Sequence, residues 1–175
     1  TGLDGATFAE NTVNAAPQLL DTDVSFSDAE GDFDGGRLSL TGLLAEDTVS
    51  VRDQGSGASE IGFDGTDVSF GGVVIGTLAG GAAGTDLTIT FNASASSGSV
   101  DALIQNLTYA NSSDTPTTIR DLRLNVTDAG GADLVLGPGA VASFAALAGT
   151  ANPFDGIDVG RWSAPGFFDL DGDGD

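Results

Sequence analysis

Cysteine, histidine, methionine and lysine are all missing from this 175-residue chain, and it has one tryptophan and one tyrosine. Without cysteine there are no disulfides and no thiolate metal sites, and the lack of histidine removes zinc and iron–sulfur chemistry as well. Nucleophilic catalysis needs a base, and only carboxylates are at hand. Two acids facing one cleft could hydrolyse a glycoside, but a linear run of 26 acids singles out no such pair, so the chain is not expected to be an enzyme. No stretch approaches the roughly 20 apolar residues of a membrane helix. No signal peptide is visible at Thr1, which suggests a mature fragment or cargo for a secretion route that reads a distant C-terminal signal.

Positive charge is also scarce. Five arginines stand against 26 acids, for a net charge of −21. Nucleic-acid backbones and anionic membranes would be repelled, so neither is an expected partner. The apolar fraction of 40% comes in ordered short runs, which separates the chain from a disordered polyanion. Of the acids, 22 are Asp and four are Glu, a bias toward turn and metal-loop residues rather than helix formers.

Apolar residues alternate with Ser, Thr, Asp or Arg in DVSFS (Val24, Phe26), RLSLTGL (Leu38, Leu40), TVSVRD (Val49, Val51) and DVSF (Val68, Phe70). The pattern continues in VVIGTL (73–78), LTITFN (Leu87, Ile89, Phe91) and DLRLNV (Leu122, Leu124, Val126). Period two with Gly/Asp/Ser turns every 8–12 residues or so predicts an all-β antiparallel sandwich. One stretch departs from it: Val100, Leu103, Ile104 and Leu107 have helical spacing, predicting a short helix near 98–107 capped by Ser97 or Ser99. Residues 1–16 suit an extended strand or linker that ends at Pro17, 17–136 the sandwich, and 137–175 either a connector opening a further module or an extension folded back on the sandwich.

Two acidic constellations have metal-ligand spacing. In DLDGDGD, Asp169, Asp171 and Asp173 fill positions 1, 3 and 5 of a D-x-D-x-D-G loop, Gly174 supplies the turn and Asp175 sits at the carbonyl-donating seventh position. The closing acid of such a loop lies beyond Asp175. Either residues outside this chain or a neighbouring molecule complete the site, or this is an acidic end without an ion. In SDAEGDFDGG, Asp28, Glu30, Asp32 and Asp34 crowd four carboxylates into seven residues, which calls for calcium (Ca2+) or a solvated turn. Four sequons begin at Asn92, Asn106, Asn111 and Asn125, a number that chance produces in a Ser/Thr-rich chain. Trp162 and Tyr109 could stack on a sugar, although Trp162 beside Phe167 and Phe168 also suits an anchor.

The succession Asn14-x-x-Pro17, Asp28-x-Glu30-Gly31-Asp32, Leu107-x-Tyr109-x-Asn111 with Pro116 and Arg120, and Val126-x-Asp128 resembles the cadherin-like repeats of very large bacterial secreted and surface proteins, over about residues 10–133. The tail NPFDGIDVGRWSAPGFFDLDGDGD is similar to the start of an FG-GAP or VCBS-type calcium-binding repeat. The resemblance implies an Ig-like sandwich, an extracellular or cell-surface location, calcium dependence and an adhesive or scaffolding role. It also implies that the Asp28/Glu30 pair shares ions with Glu10 and Asp128, while the cadherin linker motif D-x-N-D-N is absent. The expected function is a calcium-stabilised structural or adhesive module. Its partners would be neighbouring copies or repeats of the same protein, with glycans or cell surfaces as further candidates. Two alternatives stand beside it. One is a filament subunit that donates its 1–16 strand to a neighbour's sheet, against pairing of that strand within its own domain. The other is a carbohydrate-binding module.

Overall fold

The computed structural model describes residues 5–130 and the backbone of 133–136. The chain divides into two units, Thr1–Val141 and Ala142–Asp175, and all described residues belong to the first. Ten strands make two antiparallel sheets, as the alternation predicts. The smaller has the order β1 (Gln18–Leu19), β8 (Leu107–Asn111), β3 (Asp47–Val51). The larger runs β10 (Asp133–Leu136), β9 (Arg123–Thr127), β2 (Arg37–Thr41), β7 (Leu87–Phe91), β6 (Val73–Ala79), β5 (Asp67–Phe70), β4 (Ile61–Phe63).

Pairing register turns the alternation into a core. Leu38 of β2 stands opposite Ile89 of β7 and Val126 of β9, and Leu40 opposite Leu87 and Leu124, so one inward stripe crosses three strands. In the smaller sheet Val49 faces Tyr109 and Val51 faces Leu107. These side chains are buried, and each fully buried Leu or Ile contributes about 2 kcal/mol. Phe33 adds a tilted contact with Phe26 at 6.0 Å and an edge contact with Phe91 at 5.8 Å between ring centroids.

Helix α2 (Ser97–Ile104) lies where helical spacing predicts one, with Val100, Leu103 and Ile104 buried. Its cap is Ser96 rather than Ser97 or Ser99. The Ser99 amide donates to Ser96 Oγ at 3.3 Å, and the Ser96 amide donates to Ser99 Oγ at 2.9 Å, a reciprocal capping box. The helix ends before Leu107, which opens β8.

Three segments differ from expectation. Residues 10–15 form helix α1 (Glu10–Ala15) instead of an extended strand. Six residues with no side-chain cap cannot hold a helix alone. Packing holds this one: Val13 is buried, Phe8 stacks on Tyr109 at 6.0 Å, and Asn14 Nδ2 donates to the Ser113 carbonyl at 3.0 Å. The run at Val24 and Phe26 buries both side chains but belongs to no strand. Its backbone bonds to α2 side chains instead: the Phe26 amide donates to Asp101 Oδ1 at 2.6 Å and Gln105 Nε2 to the Val24 carbonyl at 2.8 Å. Strand β4 lies outside the alternating runs that predict strands. Its outer edge is occupied, because the Ile61 amide donates to Gln54 Oε1 at 3.0 Å, the Phe63 amide to Asp53 Oδ1 at 3.2 Å and the Gln54 amide to the Ile61 carbonyl at 2.7 Å.

Asp47, at the start of β3, is 1% exposed. Its carboxylate accepts from Arg120 Nε at 2.7 and 2.9 Å, the Tyr109 hydroxyl at 2.7 Å, Asn111 Nδ2 at 2.9 Å and the Leu44 amide at 2.7 Å. Arg120 also pairs with Glu46, whose carboxylate accepts from the Thr117 amide at 3.0 Å. Burial pushes the Asp47 carboxyl up, but hydrogen bonds from Arg120, the Leu44 amide and Tyr109 outweigh it and hold its pKa below the ordinary value. Burial and the bond to Asp47 push the Tyr109 phenol up.

A depressed folded-state pKa contributes stability that is fully present above the unfolded value of about 3.9 and is lost as pH falls through the folded value. Asp47→Asn, which leaves Arg120 facing a neutral group, is expected to cost about 3 kcal/mol at neutral pH. In urea melts, the gap between wild type and variant should stay level from about pH 5 to 8 and narrow below about pH 4. A gap independent of pH down to the acid limit would contradict this role for the charge.

Candidate metal centre

The buried phenylalanines on either side of SDAEGD decide where its acids go. Phe26 and Phe33 are both sunk in the core, so the chain between them must arch outward. Helix α2 fixes the arch at its start, where the Asp28 amide donates to Ser97 Oγ at 2.9 Å. Asp28 Oδ1 then accepts from the Glu30 amide at 3.2 Å, and Gly31, at φ +67°, turns the chain back. On the far side the Ala129 amide donates to the Asp32 carbonyl at 2.9 Å, tying the arch to the residue after Asp128.

Asp128 arrives from the end of β9, and Gly36 lets it come close. A Cβ at position 36 would lie 2.5 Å from the Thr127 carbonyl oxygen and 3.0 Å from Asp128 Cα, inside contact distance of rigid backbone. Carboxylate oxygens of Asp28, Asp32 and Asp128 consequently all lie within 4.8 Å of one another. Asp28 and Asp128 are half-buried and Asp32 is exposed.

This group could hold a metal ion. At such separations each pair of carboxylates repels by on the order of 1 kcal/mol in a water-like dielectric and more near protein, and a cation among them reverses the sign. Two oxygens on opposite sides of a calcium ion stand about 4.6–5.2 Å apart, so the observed spacing fits one shared ion. The donors are all hard oxygens, and exposed Asp32 leaves room for water to complete the six to eight ligands that calcium takes, or the octahedron of magnesium.

Of the acids singled out by sequence that lie among the described residues, Asp28, Asp32 and Asp128 converge, and Glu10, Glu30 and Asp34 do not join them. Glu30 and Asp34 are exposed and outside the group. Glu10, which the family resemblance places with Asp128, instead lines a cavity beside Tyr109 and Arg120. Arg120 precedes β9 and Asp128 follows it, so five strand residues, about 17 Å of extended chain, separate the two places. The helical turn of α1 carries Glu10 to the wrong end of the strand for a shared ion. Asp169, Asp171, Asp173 and Asp175 lie outside the described residues, as do Trp162, Phe167 and Phe168.

Tyr109 is not available as a sugar platform, because it is 7% exposed and its ring is stacked on Phe8. Two sequons are consumed by structure: Asn106 and Asn111 are buried, with Nδ2 donating to the Ala102 carbonyl and to Asp47 respectively. Sequence reading missed the Glu46–Asp47–Arg120 cluster, since two acids among 26 carry no mark of burial. The usable signal was the scarcity of arginine, which makes each one a candidate anchor.

No protein-family model, curated protein or solved structure matches the chain. Among the described residues no helix is long and apolar enough to cross a membrane.

Gly36→Ala tests the approach of β2 to Asp128. Overlap with backbone should cost about 1–3 kcal/mol in denaturant melts without added metal. A wild-type midpoint would mean that the strands accommodate the methyl freely.

Proposed function

We propose that this chain is a calcium-stabilised structural or adhesive module of an extracellular bacterial surface or secreted protein, working through stiffness and spacing rather than catalysis. The observation that carries this reading is the convergence of Asp28, Asp32 and Asp128 from two separate parts of the chain. The net charge of −21 and the absence of cysteine support it, because a cysteine-free sandwich with five arginines for 26 acids has no disulfides and little internal counter-charge to draw on. Extracellular modules typically bind calcium at about 0.1–1 mM, matched to the ion's abundance outside cells. Binding to the native state alone adds roughly 2.7 kcal/mol when the ion is at a hundred times its Kd.

Geometry gives the ion a mechanical role. It would clamp the 28–32 arch, held by α2 at one end, to the end of β9, so that helix, loop and larger sheet move as one body. The cadherin-like resemblance points the same way, and neighbouring repeats of one long polypeptide are the partners it suggests.

Thermal melts in calcium and in EDTA provide the test. The wild-type midpoint should rise in millimolar calcium by several degrees, about 3–8 °C for the stabilisation above. Asp32→Asn combined with Asp128→Asn should abolish most of that rise while leaving the EDTA midpoint unchanged or higher, since like-charge repulsion is relieved. A midpoint indifferent to calcium would overturn the proposal, and a rise that survives both substitutions would move the ion elsewhere in the chain.

A further inference from the structure

Residues 112–122 form neither helix nor strand, yet they lie against the smaller sheet. Besides bonds to the adjoining Asn111 and Arg123, hydrogen bonds tie them to Glu46, Asp47 and Asn14. The Ser112 amide donates to the Glu46 carbonyl at 2.9 Å, the Thr117 amide to Glu46 Oε1 at 3.0 Å, Arg120 to Asp47 and Glu46, and the Ser113 carbonyl accepts from Asn14 Nδ2 at 3.0 Å. The bonds to Glu46 and Asp47 make that corner an anchor. The bond from Asn14 joins the loop to the N-terminal arm, residues 5–16.

The arm has its own link to the same anchor. Phe8 stacks on Tyr109 with ring planes 15° apart, and the Tyr109 hydroxyl donates to Asp47 Oδ1, the oxygen that Arg120 Nε and Asn111 also engage. Arm and loop therefore converge on one buried carboxylate from two sides. Between them lies a cavity of about 490 Å³ with Phe8, Val13 and Leu20 on one wall and Pro116, Ile119 and Leu122 on another. Ile119 is 80% exposed and Leu122 is only partly buried against the core, so the loop's apolar anchoring is slight. Weak packing around a cavity, with strong polar bonds concentrated at one point, is the pattern of a segment that opens locally before the domain unfolds.

We propose that residues 5–16 and residues 112–122 are two halves of one flap, latched by Arg120 on Asp47, which opens as a unit off β8 while the sandwich stays folded. Release of either half breaks the Asn14–Ser113 bond and, through Phe8, Tyr109 and Asp47, loosens the anchor that holds the other half. Coupling of this kind is reciprocal: whatever loosens the arm must loosen the loop by the same factor. Opening frees the cavity to solvent and lengthens the leading end of the domain by the extent of the arm, twelve residues or roughly 40 Å of extended chain.

Amide hydrogen exchange on the whole chain tests the coupling from both sides. Phe8→Ala removes the arm's ring from Tyr109 and touches none of the bonds of Arg120. It should lower protection of the Ser112 and Thr117 amides together with those of Thr12, Val13 and Ala16, by a common factor within the roughly 5- to 150-fold range of such couplings. Amides in β2 and β7 should keep wild-type protection. Arg120→Gln, approached from the other side, should lower protection of Thr12, Val13 and Ala16, with which the arginine shares no hydrogen bond. Loosening of the arm alone in Phe8→Ala, with Ser112 and Thr117 unchanged, would overturn the proposal whether or not Arg120→Gln folds. So would an equal loss of protection in β2 and β7, which would make the opening global.

Discussion

A carboxylate buried at the head of β3 sets the terms for one end of this protein. Asp47 sits where water does not reach, and an ion left there alone would cost several kcal/mol. The surroundings must therefore supply donors, and they come from three places: the turn at Leu44, the end of β8 at Tyr109 and Asn111, and the loop at Arg120. Each donor fixes the segment that bears it. The turn into β3, the register of β3 with β8 and the course of residues 112–122 are all constrained by one side chain. Through Tyr109 and Phe8, the N-terminal helix is drawn in as well.

The opposite end of the sandwich is organised by shape rather than charge. Phe26 and Phe33 enter the core from either side of an acidic loop, α2 holds the loop's leading edge, and a missing Cβ at Gly36 admits the end of β9. The three carboxylates meet because apolar and backbone constraints leave them nowhere else to go. At the Asp47 end the acid meets its arginine within the chain. At the Asp28–Asp32–Asp128 end three carboxylates meet one another, and a dissolved cation would supply counter-charge there.

Sequence alternation was enough to find β2, β3, β5, β7 and β9, whose inward side chains stand two residues apart, and the apolar run VVIGTL to find β6, which buries the adjacent Ile75 and Gly76. It was also enough to place α2. What stayed hidden had no periodic signal to give. Strand β1 is two residues long, β4 is three, and α1 buries one residue and lacks a cap, so tertiary packing alone decides their form. Val24 and Phe26 misled in the other direction: they alternate like a strand, but their backbone bonds go to Asp101 and Gln105. For the site, local crowding pointed to Asp28 and Asp32, and only the family resemblance pointed to Asp128. Proximity in the chain also suggested Glu30 and Asp34, which are exposed and outside the converging group.

The larger sheet has two unlike margins. Along β4 the outward-pointing amides of Ile61 and Phe63 are already taken by Gln54 and Asp53, so an incoming strand finds no donors to bind. At the other margin, β10 has a partner only on its inner side among the described strands. Along β4 the sheet is thus sealed by its own side chains. A strand approaching that margin would first have to displace Gln54 and Asp53 from the amides it needs.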